Sequence, residues 1–457
     1  MHRVAVVGSG ISGLGAAYAL RQAHCDVIVF ESADRVGGRM QTQSADGYTW
    51  DPAAQFLLSK FETMLALLTE LNVPVLRDSV PPTMGIVLSS MSPETKYYFR
   101  VDNPLSMFSH PQLSLANKVR LLKLFGQTFW YWRSLDFPWM NKVQKLDTKD
   151  TLRTVGDRDY GADALDYFLN LPTSNLFYWT PEETPWWMAP FSLKLMFNAK
   201  MFLPAGGMGA VTAALGRSLD VRLNHTVRRI DATDDGKAVL RVQGARGMSG
   251  VLVDRVIIAT PAPVALTMLA DPEQALGKIR ANYLRTANYT QVLTMAVAYA
   301  SAIERRAYGV FVPRKDSGGL LTIGWEHLKA QGRAPINRGL GVFSTTASFA
   351  RQVWNYSDAE IARQMIDLAV PIYPNSSPQA HPLQVHRFPH ATPIMEPTRS
   401  RTLDQARKAG PAAGSPIFTC GDYWLGPNVE QALITGYRAA GEVLQSLQSP
   451  VPTKLQI

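Results

Sequence analysis

Cysteine is almost missing from this chain: Cys25 and Cys420 are the two in 457 residues. A disulfide framework is therefore excluded, and the pair has no metal-ligand spacing, so a reducing compartment fits. Long apolar runs are missing too; none approaches the roughly 20 residues needed to span a bilayer. Acids are in deficit, 37 against 46 Lys and Arg, for a formal charge of +9. The basic residues are dispersed, which argues against nucleic acid as a partner. The surplus favours anionic substrates or an anionic membrane surface. With 46% hydrophobic and 18% charged residues the composition is globular with ample core, and the length predicts two or three domains. The first strand is read as starting at residue 3, leaving no room for a signal peptide. A cytoplasmic location is expected, with peripheral membrane contact left open.

What is present begins at once. Arg3-Val4-Ala5-Val6-Val7 is a short apolar β-branched run, as a buried parallel strand should be. It ends in Gly8-Ser9-Gly10-Ile11-Ser12-Gly13, a G-x-G-x-x-G, followed by small helix-compatible residues and a second strand, Asp26-Val27-Ile28-Val29-Phe30, closing on Glu31. Strand, glycine turn, helix, strand and acid in that order make a dinucleotide-binding βαβ unit. Gly8 permits the tight turn, Gly10 lets backbone approach a pyrophosphate, and Gly13 lets helix and strand pack closely. The helix N-terminus, at Ile11 and Ser12, offers free N–H groups to phosphate. Glu31 sits where an acid would accept from a ribose 2′-hydroxyl and repel a 2′-phosphate, which disfavours NADP.

Ser32 and then Asp34-Arg35-Val36-Gly37-Gly38-Arg39 follow. This segment resembles the D/R-x-G-G-R extension of the flavin amine oxidase superfamily, which includes monoamine and polyamine oxidases, protoporphyrinogen oxidases and phytoene-type desaturases. The resemblance implies FAD as cofactor, with Ser32, Arg35, Gly37, Gly38 and Arg39 wrapped around its pyrophosphate. It also implies a fold: α/β (α+β overall), a Rossmann-like FAD-binding domain of the GR2 type, and a substrate domain of mixed sheet plus helices.

Further stretches are similar to the same superfamily. Trp50-Asp51-Pro52-Ala53-Ala54-Gln55-Phe56 looks like a segment passing beside the flavin ring, with Ala53 in the place of the usual glycine. Pro204-Ala205-Gly206-Gly207-Met208 resembles a turn before a helix expected over 209–219. In the strand pair over 221–230, Val227 matches the residue that meets adenine through its backbone, and a β-meander should follow, turning at Gly236 and Gly247. Residues 255–261 read as a buried strand ending at Thr260-Pro261. Near the C-terminus, Gly421-Asp422 and Asn428-Val429-Glu430-Gln431-Ala432 resemble the closing FAD segment. The resemblance gives Asp422 the ribityl–phosphate portion and sets the helix end at Val429 toward the pyrimidine side of the flavin. A positive helix end there would stabilise the reduced anion. These matches place the FAD-binding domain at 1–80, 203–265 and 405–457.

The remaining segments, 81–202 and 266–404, form the substrate domain, read as a helical part plus an antiparallel sheet. Residues 61–71 carry a packing helix. Residues 115–135 read as a basic, aromatic helix with Lys118, Arg120, Lys123, Phe125, Phe129, Trp130, Tyr131, Trp132 and Arg133. It could lie on a membrane, but the aromatics circle the last turn instead of forming a stripe, so an aromatic face in the core is the reading adopted. The apolar cluster from Trp179 to Phe202 fits a large substrate pocket or plain core equally. Strands are expected at 292–299, 308–314, 320–325 and 340–343, and Ser357 signals a helix to Ala369. Val385-His386-Arg387-Phe388-Pro389-His390 resembles a protoporphyrinogen-oxidase motif, with Phe388 for its tryptophan. Pro389 blocks a helix that would place both histidines on a metal; no metal site is expected.

Together these readings predict an FAD-dependent oxidoreductase. It would move hydride from a C–H next to nitrogen of a bulky, largely hydrophobic small molecule to flavin N5, with O2 or another acceptor reoxidising the ring. Porphyrinogen-oxidase-like or desaturase-like dehydrogenation is one alternative; a non-catalytic flavin carrier and a protein holding NAD alone are others. No side-chain triad or carboxylate pair is evident, as suits chemistry performed by the flavin. Tyr423, Trp424, Asn428 and Arg387 are the weak catalytic candidates; Asn428 stands where monoamine oxidases commonly place a cage tyrosine.

Overall fold

The computed structural model describes residues 1–77, 79–88, 96–374 and 376–455. The apolar runs of Arg3–Val7 and Asp26–Phe30 are buried at four of five positions each, the mark of strands covered on both faces. They lie side by side in a five-stranded sheet ordered Asp220–Arg222, Asp26–Phe30, Arg3–Val7, Arg255–Ile258, Ile417–Thr419. Every pairing in it is parallel. Segments 1–80, 203–265 and 405–457 all supply strands to this one sheet.

Helix Ile11–Gln22 packs on the sheet and against the C-terminal helix Val429–Ser446. The contact is as close as backbone allows, since a Cβ at Gly436 would sit 2.1 Å from the Ser12 carbonyl oxygen. Strands Thr226–Ala232, Ala238–Gly244 and Gly247–Val253 form the antiparallel meander. Helix Gly209–Arg217 precedes it, as the sequence predicts.

The second half of the molecule is built on a seven-stranded sheet. Ala380–Phe388, Val292–Tyr299, Gly339–Thr345, Leu320–Trp325 and Gly309–Phe311 pair antiparallel. Thr83–Val87 then joins Gly309–Phe311 in parallel and carries Lys96–Arg100 at the edge. The sheet is therefore mixed, and the 81–202 segment is not wholly helical. Thr83–Val87 escapes a sequence reading because it is covered on both faces and shows no alternation. Ser357 caps Asp358–Ala369 in a reciprocal pair with Glu360, at the predicted start.

One expectation fails here. Helix Leu115–Trp130 turns Leu121 and Leu124 inward, but Phe129 and Trp130 are each 82% exposed. Asn117, Leu121, Leu124 and Thr128 make the buried face, with Phe125 packed at its edge, so Phe129 and Trp130 face solvent instead of the core.

Candidate active site

The glycine turn forms a cradle. Gly8 adopts φ +102°, and its N–H donates to the Phe30 carbonyl at 2.8 Å. Gly13 must be glycine: a Cβ would lie 2.1 Å from the Gly8 carbonyl oxygen. Gly10 differs, because a Cβ there would meet nothing within 4 Å. It caps Ile11–Gln22 without any side-chain hydrogen bond, so the free N–H groups beginning at Ile11 and Ser12 open onto empty space. Glu31 lies at the rim of this turn. Its carboxylate accepts from Ser9 N at 2.8 Å and Ser9 Oγ at 2.7 Å with one oxygen, and from Ala33 N at 2.9 Å with the other. Ser32 Oγ adds a long contact of 3.3 Å.

The strap after Glu31 closes over the same turn. Gly37 bridges Gly10 and donates its N–H to Ser9 O at 2.9 Å. Gly38 packs beside it, and Arg35 Nη1 reaches the Gly38 carbonyl at 3.4 Å. Arg39 then spans the molecule: Nη1 donates to Asp422 Oδ2 at 2.7 Å and to the Ala391 carbonyl at 2.8 Å. Burial alone would lower the Arg39 pKa, but the Asp422 carboxylate and the Tyr289 phenol outweigh it and hold it above its ordinary value. Asp422 Oδ1 and Thr260 Oγ1 are buried without any hydrogen-bond partner among the described residues. Buried polar atoms are nearly always satisfied, so a ligand that supplies donors and acceptors fits between them. Thr260-Pro261 borders the Gly8 turn, where a Cβ would come 3.5 Å from the Thr260 methyl. Gly421 precedes Asp422 with φ +148°. An open glycine turn, an uncapped helix end, an arginine and unpaired buried oxygens are the features that fit an extended dinucleotide.

The remaining predicted cofactor residues divide. Val227 is buried in the meander, at a register shift opposite Val242. Ala54 donates its N–H to the Arg39 carbonyl at 3.1 Å, which places Ala54-Gln55-Phe56 beside the cradle. Val429 begins the C-terminal helix and Ala432 is buried on it. Glu430 anchors that helix start, accepting from Thr63 N and Met64 N at 2.8 Å each.

Gln55 leads to a network that no motif announces. Its Oε1 accepts from Tyr308 OH and Lys329 Nζ, both at 3.1 Å, and its Nε2 donates to the Asp51 carbonyl. Lys329 Nζ lies 2.7 Å from Asp51 Oδ2 and 3.1 Å from Glu326 Oε1. Arg333 Nη1 lies 2.8 Å from Asp51 Oδ2 and 2.7 Å from Glu326 Oε2. Two cations and two carboxylates are thus sealed from water, with Lys329, Asp51 and Glu326 fully buried. Burial pushes the Asp51 pKa up, but Lys329 and Arg333 outweigh it and hold it below the usual carboxylate range. For Glu326 burial wins, and its pKa is raised. Burial, together with the Glu326 and Asp51 charges, lifts the Tyr308 phenol well above its ordinary value. Asp51 Oδ1 also accepts from Met208 N at 3.1 Å and Thr42 Oγ1 at 2.5 Å, so the network ties the Gly206-Gly207 turn to the second half of the chain. Asp51 and Gln55 lie in the 50–56 segment that the sequence singles out, but nothing in that segment points to Glu326, Lys329 or Arg333 as their partners.

Phe56, which packs edge-on against Tyr308, forms part of the wall of an apolar cavity. Its enclosed room is about 100 Å³, and the space widens to about 790 Å³ when the part open to solvent is counted. Met84, Phe99, Phe168, Met201 and Phe311 line it deeply, and Arg100 is the one charged residue on its wall. Among the described residues no carboxylate lines it. Of the 179–202 cluster, Met196 and Met201 belong to the cavity, whereas Trp179, Trp187 and Phe191 pack in a core.

The proposed catalytic residues are elsewhere. Arg387 points to Asp358 at 2.5 Å and to the carbonyls of Trp354 and Tyr356, a structural clamp on a helix start. Trp424 is fully buried, stacked on Tyr283 with its Nε1 donating to Thr419 Oγ1 at 3.0 Å. Tyr423 is buried in the same core, its hydroxyl unpartnered. Asn428 is a helix cap: Oδ1 accepts from Gln431 N at 2.9 Å. Local turn chemistry and packing hold Arg387, Trp424 and Asn428 in these positions. Among the described residues no His, Cys, Asp and Glu group could hold a metal, and no helix is long and apolar enough to cross a membrane. Cys25 and Cys420 are both free and buried.

Comparison with known proteins decides the family. The model for flavin containing amine oxidoreductases matches residues 11–444. The chain belongs to that family. Members similar in sequence include protoporphyrinogen oxidase 2 of Arabidopsis thaliana, 27% identical over 175 residues, which are 37% of this chain and 31% of that protein. Probable polyamine oxidase 4 of the same plant is 26% identical over 292 residues, 60% of this chain and 53% of that one. The chain therefore aligns with about a third to a half of the length of these relatives. In three dimensions, a putrescine oxidase bound to putrescine superposes with TM-score 0.74 at 21% identity, covering 97% of this chain and 99% of the other. Cyclohexylamine oxidase from Brevibacterium oxydans gives TM-score 0.73 at 19% identity, covering 98% and 99%. At such identities the likeness speaks for the fold alone. Family and fold agree with the α/β architecture and the flavin that the resemblance of the 34–39 segment implies.

Proposed function

We propose that this protein is an FAD-dependent oxidoreductase acting on a bulky, largely hydrophobic small molecule, at a C–H next to nitrogen. The observation that carries the reading is the join between cradle and cavity: Arg39 binds Ala54 through its carbonyl, and Phe56, two residues on, walls the apolar space. Bound FAD would supply the hydride acceptor at N5, with O2 or another acceptor restoring the oxidised ring. The chain's own residues do the rest. The Gly8–Gly13 turn, the strap through Arg39 and the Asp422 and Thr260 oxygens would hold the dinucleotide. Phe56, Met84, Phe311 and their neighbours would orient the substrate and keep water out. Gln55, fixed by Lys329 and Tyr308, would hold the backbone of the 51–56 segment in place.

A porphyrinogen-like or desaturase-like dehydrogenation is the second reading. It is favoured by the wall itself, where Arg100 stands among apolar side chains such as Phe99, Phe168 and Phe311, a setting suited to an apolar or anionic molecule. Flavin absorbance of the purified protein and mass analysis of the released cofactor test FAD. Anaerobic mixing with hydrophobic amines, porphyrinogens and polyenes, following loss of the flavin band, tests the substrate class. Bleaching by an amine supports the first reading and by a porphyrinogen or polyene the second. Tight binding with no bleaching would leave only a carrier, and a cofactor that proves to be NAD would defeat both.

A further inference from the structure

We propose that the outer face of helix Leu115–Trp130 and the turn after it dock on an anionic lipid surface. The solvent side of this helix is an apolar stripe: Leu115 is 78% exposed, Val119 58%, Leu122 57%, and Phe129 and Trp130 82% each. These positions share one face at helical spacing. A patch of that kind on a soluble surface marks an interaction site. The inward face is already committed, with Leu121 and Leu124 buried in the core, so the outer stripe is not a core surface that slipped its register.

Charge identifies the occupant. From residue 103 to residue 135 there is no Asp or Glu, while Lys118, Arg120, Lys123 and Arg133 all fall within it. Lys118 flanks the stripe on one side and Arg120 and Lys123 on the other. Lys123 lies 3.8 Å from Asp159; among the described residues no ion pair engages Lys118, Arg120 or Arg133. Lys194 adds a cation at the C-terminal end, donating to the carbonyls of Trp132 and Leu135 at 2.6 Å. An apolar stripe with a bulky aromatic end, edged by cations, is the pattern of helices that lie in the plane of an anionic interface. A second copy of this chain would bring a like-charged patch against it.

The same elements line the cavity. Leu124 lines it from the inner side of this helix, and Leu193 and Met196 line it from the neighbouring helix Met188–Met196. Trp132 packs edge-on against Phe197 at 6.2 Å, joining the two helix ends.

Co-sedimentation with vesicles tests the docking and needs no turnover, so it stands apart from the enzymatic reading. The intact protein should pellet with equimolar phosphatidylglycerol–phosphatidylcholine vesicles, less so at high salt, and stay in solution with phosphatidylcholine alone. Phe129→Ser with Trp130→Ser should lower the partition coefficient about tenfold or more. Lys118→Gln should lower it about fivefold, with circular dichroism showing an unchanged fold for each variant. Failure to pellet with the anionic vesicles overturns the proposal, as does equal pelleting with both lipids. Light scattering that shows a dimer in the intact protein and a monomer in the double aromatic variant would assign the face to a second copy instead.

Discussion

Two charge clusters join distant parts of the chain, one sealed and one partly buried, and they are built to opposite rules. In the Asp51, Glu326, Lys329 and Arg333 cluster every charge has an opposite neighbour within 3.1 Å, and nothing is left over. In the Arg39–Asp422 pair one carboxylate oxygen takes the guanidinium and the other has no partner. The first is closed and the second open. A closed cluster fixes the position of its elements; an open one waits for a ligand to complete it. Both depend on contacts between distant parts of the chain, so the difference lies in saturation, not in how they are reached.

Mutations can break this contrast. Lys329→Met removes one of two cations from a sealed cluster, leaving an excess carboxylate, and should cost about 3–5 kcal/mol of stability. Urea unfolding of the cofactor-free protein measures it, and a loss near zero would mean the cluster is not sealed. Asp422→Asn should do the reverse: it keeps the shape, weakens the Arg39 pair, and raises the flavin Kd by about tenfold to a hundredfold. If instead the variant unfolds while binding flavin normally, the open cluster is merely structural. Gly10→Ala sharpens the same point, because φ −67° and ψ 171° suit alanine and the added Cβ meets no protein atom. The cofactor-free protein should be unchanged or up to about 1 kcal/mol more stable, yet its flavin Kd should rise about tenfold as titrated by fluorescence. The smallest effect is expected from Arg387→Ala. Its partner Asp358 is 62% exposed, so the loss should be below about 1 kcal/mol, with flavin binding unaltered.

The cradle was legible in the sequence because its parts are local. A strand, a glycine turn and an acid lie within one stretch, and Glu31 does lie against Ser9 at the end of strand Asp26–Phe30. Strand Arg255–Ile258 and the capped helix Asp358–Ala369 were equally readable from a continuous apolar run and a Ser…Glu spacing. The closed cluster was not. Asp51 and Lys329 are 278 positions apart, and neither residue type in isolation signals burial. The contacts of Arg387, Trp424 and Asn428 were not legible for a related reason: the residues sit in or near motifs, but the clamp, the core stack and the helix cap they form depend on partners or geometry that a motif does not carry. Phe129 and Trp130 misled because aromatic residues are ordinarily buried, and composition cannot say which face of a helix a neighbour covers.

The parallel sheet also sets an order of events during synthesis. Strand Arg3–Val7 is made more than 400 residues before its sheet's edge strand Ile417–Thr419 and the helix that covers Ile11–Gln22. Until then the apolar flank of the first helix is bare and the Asp422 side of the cradle does not exist. Flavin can be captured fully only by a finished chain, and a product cut short before residue 417 would expose the first helix and invite aggregation or degradation.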